Sequence, residues 1–134
     1  MAHNVNLSLE YATAQAAAGA LANGGFLRFY DGEQPATADT PVSRQKLLAE
    51  LRLGNPAGKA QAGDFTFGEI SSEKSARAAG EASWYRLFKA DGRSPVRDGS
   101  IGAVGSGSDI ELDDTNVTLG AEVRCDGLTW RVPR

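Results

Sequence analysis

Three features of this chain carry residue types that could do chemistry: a run of carboxylates, a glycine-rich loop, and a strand that sets an arginine among aromatic rings. The carboxylates lie in "DIELDDTN", where Asp109, Glu111, Asp113, Asp114 and Asn116 gather the oxygen ligands that calcium prefers. The spacing fails the EF-hand frame. The sixth position from Asp109 is Asp114, where the turn needs glycine, and the twelfth is Gly120, where the ion needs glutamate. A solvated acidic loop over residues 109–116 is therefore expected, with cation binding as the sharper alternative. The glycine-rich "GAVGSGSD" resembles a phosphate cradle, but no Gly-Lys-Ser/Thr ending and no helix follow it, so it reads as a loop.

The remaining catalytic constellations lack a member. His3 is the only histidine and lies at the N-terminus, so neither a Ser-His-Asp nor a Cys-His mechanism has a positioned base. Cys125 is the only cysteine, which excludes an intramolecular disulfide and a thiolate metal cluster. Paired carboxylates for glycoside hydrolysis come from distant segments, and nothing singles out two of them. The reading is a protein without catalytic residues, cofactor or metal.

The third feature is "GEASWYRLFKADGRSPVRDGSIG", which places Trp84, Arg86 and Phe88 on one face of a strand and Tyr85 and Leu87 on the other. An arginine between two rings gains about 0.5–1 kcal/mol of cation-π attraction when exposed. Such a face could take a sugar or single-stranded nucleic acid, or be covered by protein. A formal charge of −3 and a pI near 5.1 weigh against nucleic acid and anionic membranes, which are bound through excess Lys and Arg.

At 134 residues the chain suits one domain spanning 1–134, with a core that needs no metal or disulfide, and 16 glycines suit many turns. Leu7, Tyr11, Ala14, Ala18 and Leu21 recur at spacings of four and three, which predicts a helix over about 8–22, stopped by Asn23-Gly24-Gly25. "LEYATAQAAAGALA" follows no basic stretch, and no run reaches the eighteen or so apolar residues that span a bilayer, so neither a signal peptide nor a membrane segment is expected.

From about residue 25 to 133 the period is two. "FLRFYDG" and "KLLAELRLG" read as strands, "EQPATADTPVSRQ" and "NPAGKAQAG" as loops, and "DFTFGEI" as a strand bulged at Gly68. "SSEKSARAAG" reads as an exposed connection. Asp91-Gly92 predicts a tight hairpin returning through "PVRDGSIG", with Pro95 at an edge or outside the pairing. The C-terminal third alternates most regularly, with Val117, Leu119, Ala121, Val123 and Cys125 on one face, continued by Leu128, Trp130 and Val132. A hairpin at Asp126-Gly127 would set Val123 opposite Trp130 and Glu122 opposite Arg131; one continuous strand bulged at Gly127 is the alternative. The whole predicts a mainly β protein, an antiparallel β-sandwich of jelly-roll-like kind with one short N-terminal α-helix.

The order of these segments resembles a widespread family of small tailed-bacteriophage virion proteins. The resemblance covers about Leu27 to Pro133 and rests on "LRFYDGEQPATADT", "LLAELRLGNPA", "FTFGEI" and, most specifically, "GEASWYRLFKADG" leading to "RDGSIGAVGSGSDIELDDTNVTLGAEV". The segments "RLGNPAGKAQAG" and "SSEKSARAAG" depart from the family style, carrying more charge and alanine. The resemblance implies a non-enzymatic capsid decoration or cement protein of the virion surface, assembled in the host cytoplasm and bound to the major capsid protein or other virion subunits. Self-association as a trimer or dimer is expected, with no nucleic acid and no membrane as partner. A head-tail connector, a tail component, and a carbohydrate-binding module using Trp84 and Tyr30 are the alternatives. Tyr11, Arg28, Tyr30, Trp84 and Arg86 are the expected contact residues, and the second face of the Trp84 strand must be covered by the N-terminal helix or by another subunit.

Overall fold

The computed structural model describes residues 16–61 and 64–131. The protein is mainly β with one short helix. The alternating segments build a six-stranded sheet from β1 (Phe26–Tyr30), β2 (Leu47–Leu53), β5 (Ile70–Ser71), β7 (Trp84–Phe88), β8 (Pro95–Ala103) and β9 (Ile110–Leu112), in the order β5-β2-β1-β7-β8-β9. A three-stranded sheet, β11-β4-β3, joins β3 (Gly58–Gln61), β4 (Asp64–Phe67) and β11 (Thr129–Trp130). A two-stranded pair joins β6 (Gly80–Glu81) to β10 (Asn116–Val117).

Register explains the two faces of the large sheet. Leu51, Leu27, Leu87 and Arg97 form one cross-strand row, and Ala49, Phe29, Tyr85 and Gly99 form the next. Apart from Arg97 these rows face the core, where Leu27, Phe29, Leu51, Tyr85 and Leu87 are all inaccessible to solvent. The three-stranded sheet lies across this face in a sandwich-like arrangement. The Trp130 indole packs edge-on against Phe67, and its Nε1 donates to the Tyr85 hydroxyl at 3.1 Å.

Gly99 makes that contact feasible. A Cβ there would run into the Tyr85 ring, the Tyr85 hydroxyl and the Asp109 carboxylate, so only glycine lets Tyr85 cross β8 to donate to Asp109 Oδ2 at 2.9 Å. The helix, residues 16–21, docks by the same logic: a Cβ on Gly19 would overlap the Phe65 ring of β4. The small side chains of this segment permit that approach. The expected residues 8–15 of the helix lie outside the described residues.

Several expectations need correction. The pairs are antiparallel except β8 with β9, which run parallel with Ile101 beside Ile110, because residues 104–109 loop back along the edge of the sheet. "GKAQ" is not loop but strand β3, paired with β4 from Gly58 opposite Phe67 to Gln61 opposite Asp64. Its side chains are mostly exposed, so backbone pairing leaves no apolar alternation to read. "DFTFGEI" does not bulge within one strand. It breaks at Gly68-Glu69 and crosses from the small sheet to the large one, where Ile70 pairs with Leu53.

The Asp126-Gly127 hairpin does not form, and neither does the continuous strand. Trp130 pairs with Phe65, Val123 makes a single bridge to Glu73, and Val117 pairs with Gly80. Glu122 meets Ser72 at 2.8 Å and Lys74 at 3.4 Å rather than Arg131. The alternation nevertheless reported burial correctly at Val117, Val123, Cys125, Leu128 and Trp130, but failed at Leu119, 66% exposed at a turn, and at the exposed Ala121. Period two says which way a side chain points and does not name the strand it pairs with. The β7–β8 hairpin does form, but through residues 89–94 rather than a two-residue turn. Asp91 holds that loop by accepting the backbone N–H groups of Arg93 and Ser94 and the Ser94 hydroxyl.

Candidate protein-contact face

Four of the expected contact residues, Arg28, Tyr30, Trp84 and Arg86, lie on the outer face of the large sheet, where three cross-strand rows stack. Arg52, Phe26 and Phe88 form the first; Glu50, Arg28, Arg86 and Asp98 the second; Leu47, Tyr30, Trp84 and Ser100 the third. In the middle row two arginines face each other across β1 and β7, an unfavourable pairing taken alone. A carboxylate at each end resolves it. Arg28 Nε meets Glu50 Oε2 at 2.7 Å, and Arg86 makes a two-pronged pair with Asp98, at 2.7 and 3.0 Å.

The rings complete this arrangement. Tyr30 and Trp84 stack with centroids 4.6 Å apart and planes 16° from parallel. The Arg86 guanidinium lies 5.3 Å from the Trp84 ring centre, and that of Arg28 lies 4.3 Å from Phe88. Burial raises the pKa of the Tyr30 phenol above its ordinary value, although neighbouring Arg28 works against the shift.

This face is largely closed by the chain itself. The Trp84 indole donates to the Asp31 carbonyl at 3.0 Å, Ser83 to the Gly32 carbonyl at 2.6 Å, and Arg86 Nη2 to the Thr37 carbonyl at 3.4 Å. The loop after β1 therefore lies over Trp84 and Arg86. At the β2 side, Arg77 bridges Glu50 at 3.3 Å and Glu73 at 3.0 Å, which fastens the connection after β5 to the sheet.

Consequently three of the five expected contact residues are covered by the chain itself. Trp84 is 0% exposed, Arg86 4% and Tyr30 5%, so none of them offers a surface to a partner, and the Trp84 and Tyr30 rings leave no face for a sugar. Arg28 is 22% exposed and committed to Glu50, to the Gly92 carbonyl and to Phe88. Tyr11 lies outside the described residues. The described part of the N-terminal helix covers Phe65, and the Trp84 face takes its cover from the loop after β1. Neither a family model nor a curated or structurally solved protein matches the chain.

Sequence reasoning overlooked Asp98, the partner of Arg86. Counting outward from the Asp91-Gly92 turn could have placed it, but the register shift between Leu87 and Phe88 displaces the count. Two other features also resolve into internal structure. Glu111 accepts the N–H groups of Gly105 at 3.2 Å and Gly107 at 2.9 Å, so the loop's own carboxylate occupies donors that a phosphate would need. In the acidic run, Asp109 accepts from Tyr85 and Asp114 from the N–H of Asn116. Among the described residues no three His, Cys, Asp or Glu side chains converge as a metal site. No described helix is long and apolar enough to cross a membrane.

Proposed function

We propose that this chain is a structural protein of a tailed-bacteriophage virion, and specifically a decoration or cement protein of the capsid. The observation that carries the reading is the resemblance centred on "GEASWYRLFKADG" and "RDGSIG". These residues supply β7, β8 and the loop between them, the middle of the largest sheet. Residue types shared for architectural reasons are what a structural family would display, and Trp84, Arg86 and Asp98 serve that purpose here.

Decoration works by repetition: several copies clamp neighbouring shell subunits, so modest individual contacts add in avidity. With Tyr30, Trp84 and Arg86 enclosed, the docking contacts fall to exposed residues elsewhere, among them Leu21 at the end of the helix, 50% exposed, and Val104 in the loop after β8, 67% exposed. Self-association as a trimer or dimer belongs to the same proposal. Copy number in purified particles tests it. A decoration protein is present in numbers comparable to the major capsid protein, whereas a copy number of roughly a dozen would mark a connector or tail component and overturn the assignment.

A further inference from the structure

An Asp or Asn followed by glycine is the pairing most open to attack of the backbone on its own side chain, because no Cβ shields the following nitrogen. The chain holds five such pairs: Asn23-Gly24, Asp31-Gly32, Asp91-Gly92, Asp98-Gly99 and Asp126-Gly127. In four of them the fold occupies the reacting groups. Asn23 Oδ1 accepts the Ala57 N–H at 2.8 Å, while the Gly24 N–H donates to the Gly54 carbonyl at 2.8 Å. The Asp31 carboxylate accepts the Lys46 N–H and lies 3.8 Å from the Lys46 ammonium. Asp91 accepts from the N–H groups of Arg93 and Ser94 and from the Ser94 hydroxyl, and the Gly92 N–H donates to the Lys89 carbonyl at 2.9 Å. Asp98 is enclosed with Arg86, and Gly99 belongs to the β7–β8 ladder.

Asp126-Gly127 is the exception. The hairpin expected there does not form, and residues 124–128 run without secondary structure from the Val123 bridge to β11. Both residues of the pair are exposed. The Asp126 carboxylate has no hydrogen bond or ion pair among the described residues, and Gly127 takes part only through its carbonyl, which accepts from the Cys125 thiol. A Cβ built on Gly127 would meet nothing within 4 Å, so nothing crowds the approach. On either side Cys125 and Leu128 are buried, which anchors the segment and leaves the pair itself free.

We propose that Asp126-Gly127 is a modification site, where the backbone isomerises spontaneously to isoaspartate through a cyclic imide. The Gly127 nitrogen attacks Cγ of the protonated Asp126 carboxyl, a C–N bond forms, and the amide proton and the carboxyl hydroxyl leave together as water. Water then adds to the imide. Breaking the C–N bond at the Asp126 main-chain carbonyl leaves the chain running through Cγ, with the α-carboxylate as the new side chain; breaking it at Cγ restores aspartate. Isomerisation inserts one backbone carbon between the buried Cys125 and Leu128. The step needs no metal, oxidant or partner, and it does not depend on the proposed place in a virion.

The test is to age the full chain in warm, mildly acidic buffer, digest it with trypsin and map the peptides by mass spectrometry. Isoaspartate is detected by methyl transfer from an isoaspartyl methyltransferase. Cleavage after Lys and Arg puts the five pairs on five separate peptides. The Cys125–Arg131 peptide should yield a form lighter by one water and an isomer of unchanged mass that accepts methyl groups, about tenfold faster than any other pair reacts in the folded chain. Gly127→Ala, which shields the nitrogen, should slow the reaction about tenfold with the melting temperature unchanged. Asp126→Glu, which would need a six-membered ring, should remove the lighter form. Unfolding in guanidinium should bring the other four pairs toward the Asp126 rate, since their protection is tertiary. An unmodified Cys125–Arg131 peptide, a faster reaction at another pair in the folded chain, a gap that persists in guanidinium, or an undiminished rate in Gly127→Ala would each overturn the proposal.

Discussion

The two faces of the β7–β8 ribbon treat an arginine in opposite ways. On the outer face Arg86 is enclosed with Asp98, lies near the Trp84 ring and is capped by the Thr37 carbonyl. On the inner face Arg97 meets the Trp130 ring and no carboxylate, and it borders an open groove. A buried charge with a complete set of partners is framework. The aromatic-rich face that suggests a ligand platform in the sequence is the closed side, and the opposite face of the same ribbon borders the groove.

The contrast can be broken most directly at Asp98. Asp98→Ala strands Arg86 in the interior and should lower unfolding free energy by about 3–5 kcal/mol in denaturant titrations. The joint replacement Arg86→Met with Asp98→Leu should recover most of that, since an apolar pair of similar volume leaves no uncompensated charge. A loss under about 1 kcal/mol for Asp98→Ala would mean the outer face is no framework. Gly99→Ala forces a methyl group into Tyr85 and Asp109 and should cost about 1–3 kcal/mol, visible as a lowered melting temperature. Arg97→Ala removes a cation without orphaning a carboxylate, so its loss should stay near the cation-π scale of about 1 kcal/mol.

Glu73 sharpens the comparison through pH. Burial works to raise its pKa from the ordinary 4.5, but the Glu50 backbone N–H and the Arg77 guanidinium outweigh that and hold it lower. A depressed folded-state pKa contributes stability at neutral pH that is lost as pH falls from 4.5 toward the folded value. Glu73→Gln should therefore cost up to about 1 kcal/mol at pH 7, and the gap from wild type should close in acid unfolding curves. The smallest effect is expected at the exposed Lys74–Glu122 pair, where Glu122→Gln should leave the melting temperature unchanged.

Local signals were legible where local physics decides. Alternation in "FLRFY" and "KLLAELRL" marked β1 and β2, and Asp91-Gly92 marked the turn between β7 and β8, because each pattern follows from side chains pointing alternately to two faces or from a turn's backbone demands. Strand β3 was invisible because an exposed edge strand buries nothing. The contact between Arg97 and Trp130 was missed because they lie on different sheets, far apart in the chain. Arg97 itself carried a faint signal, a charge in the same cross-strand row as Leu27 and Leu87.

The residue pattern by itself determined that this chain is mainly β, which positions turn inward in most strands, and that a short helix precedes them, since these follow from the period of apolar side chains over a few residues. The tertiary structure decided the rest: that residues 117–130 pair with two different strands and bridge to Glu73 instead of pairing with themselves, that Trp84 is enclosed and that Arg97 forms no ion pair among the described residues. Pairing and enclosure depend on which distant backbone groups compete for the same donors and acceptors, and that competition is settled only when the whole chain is folded.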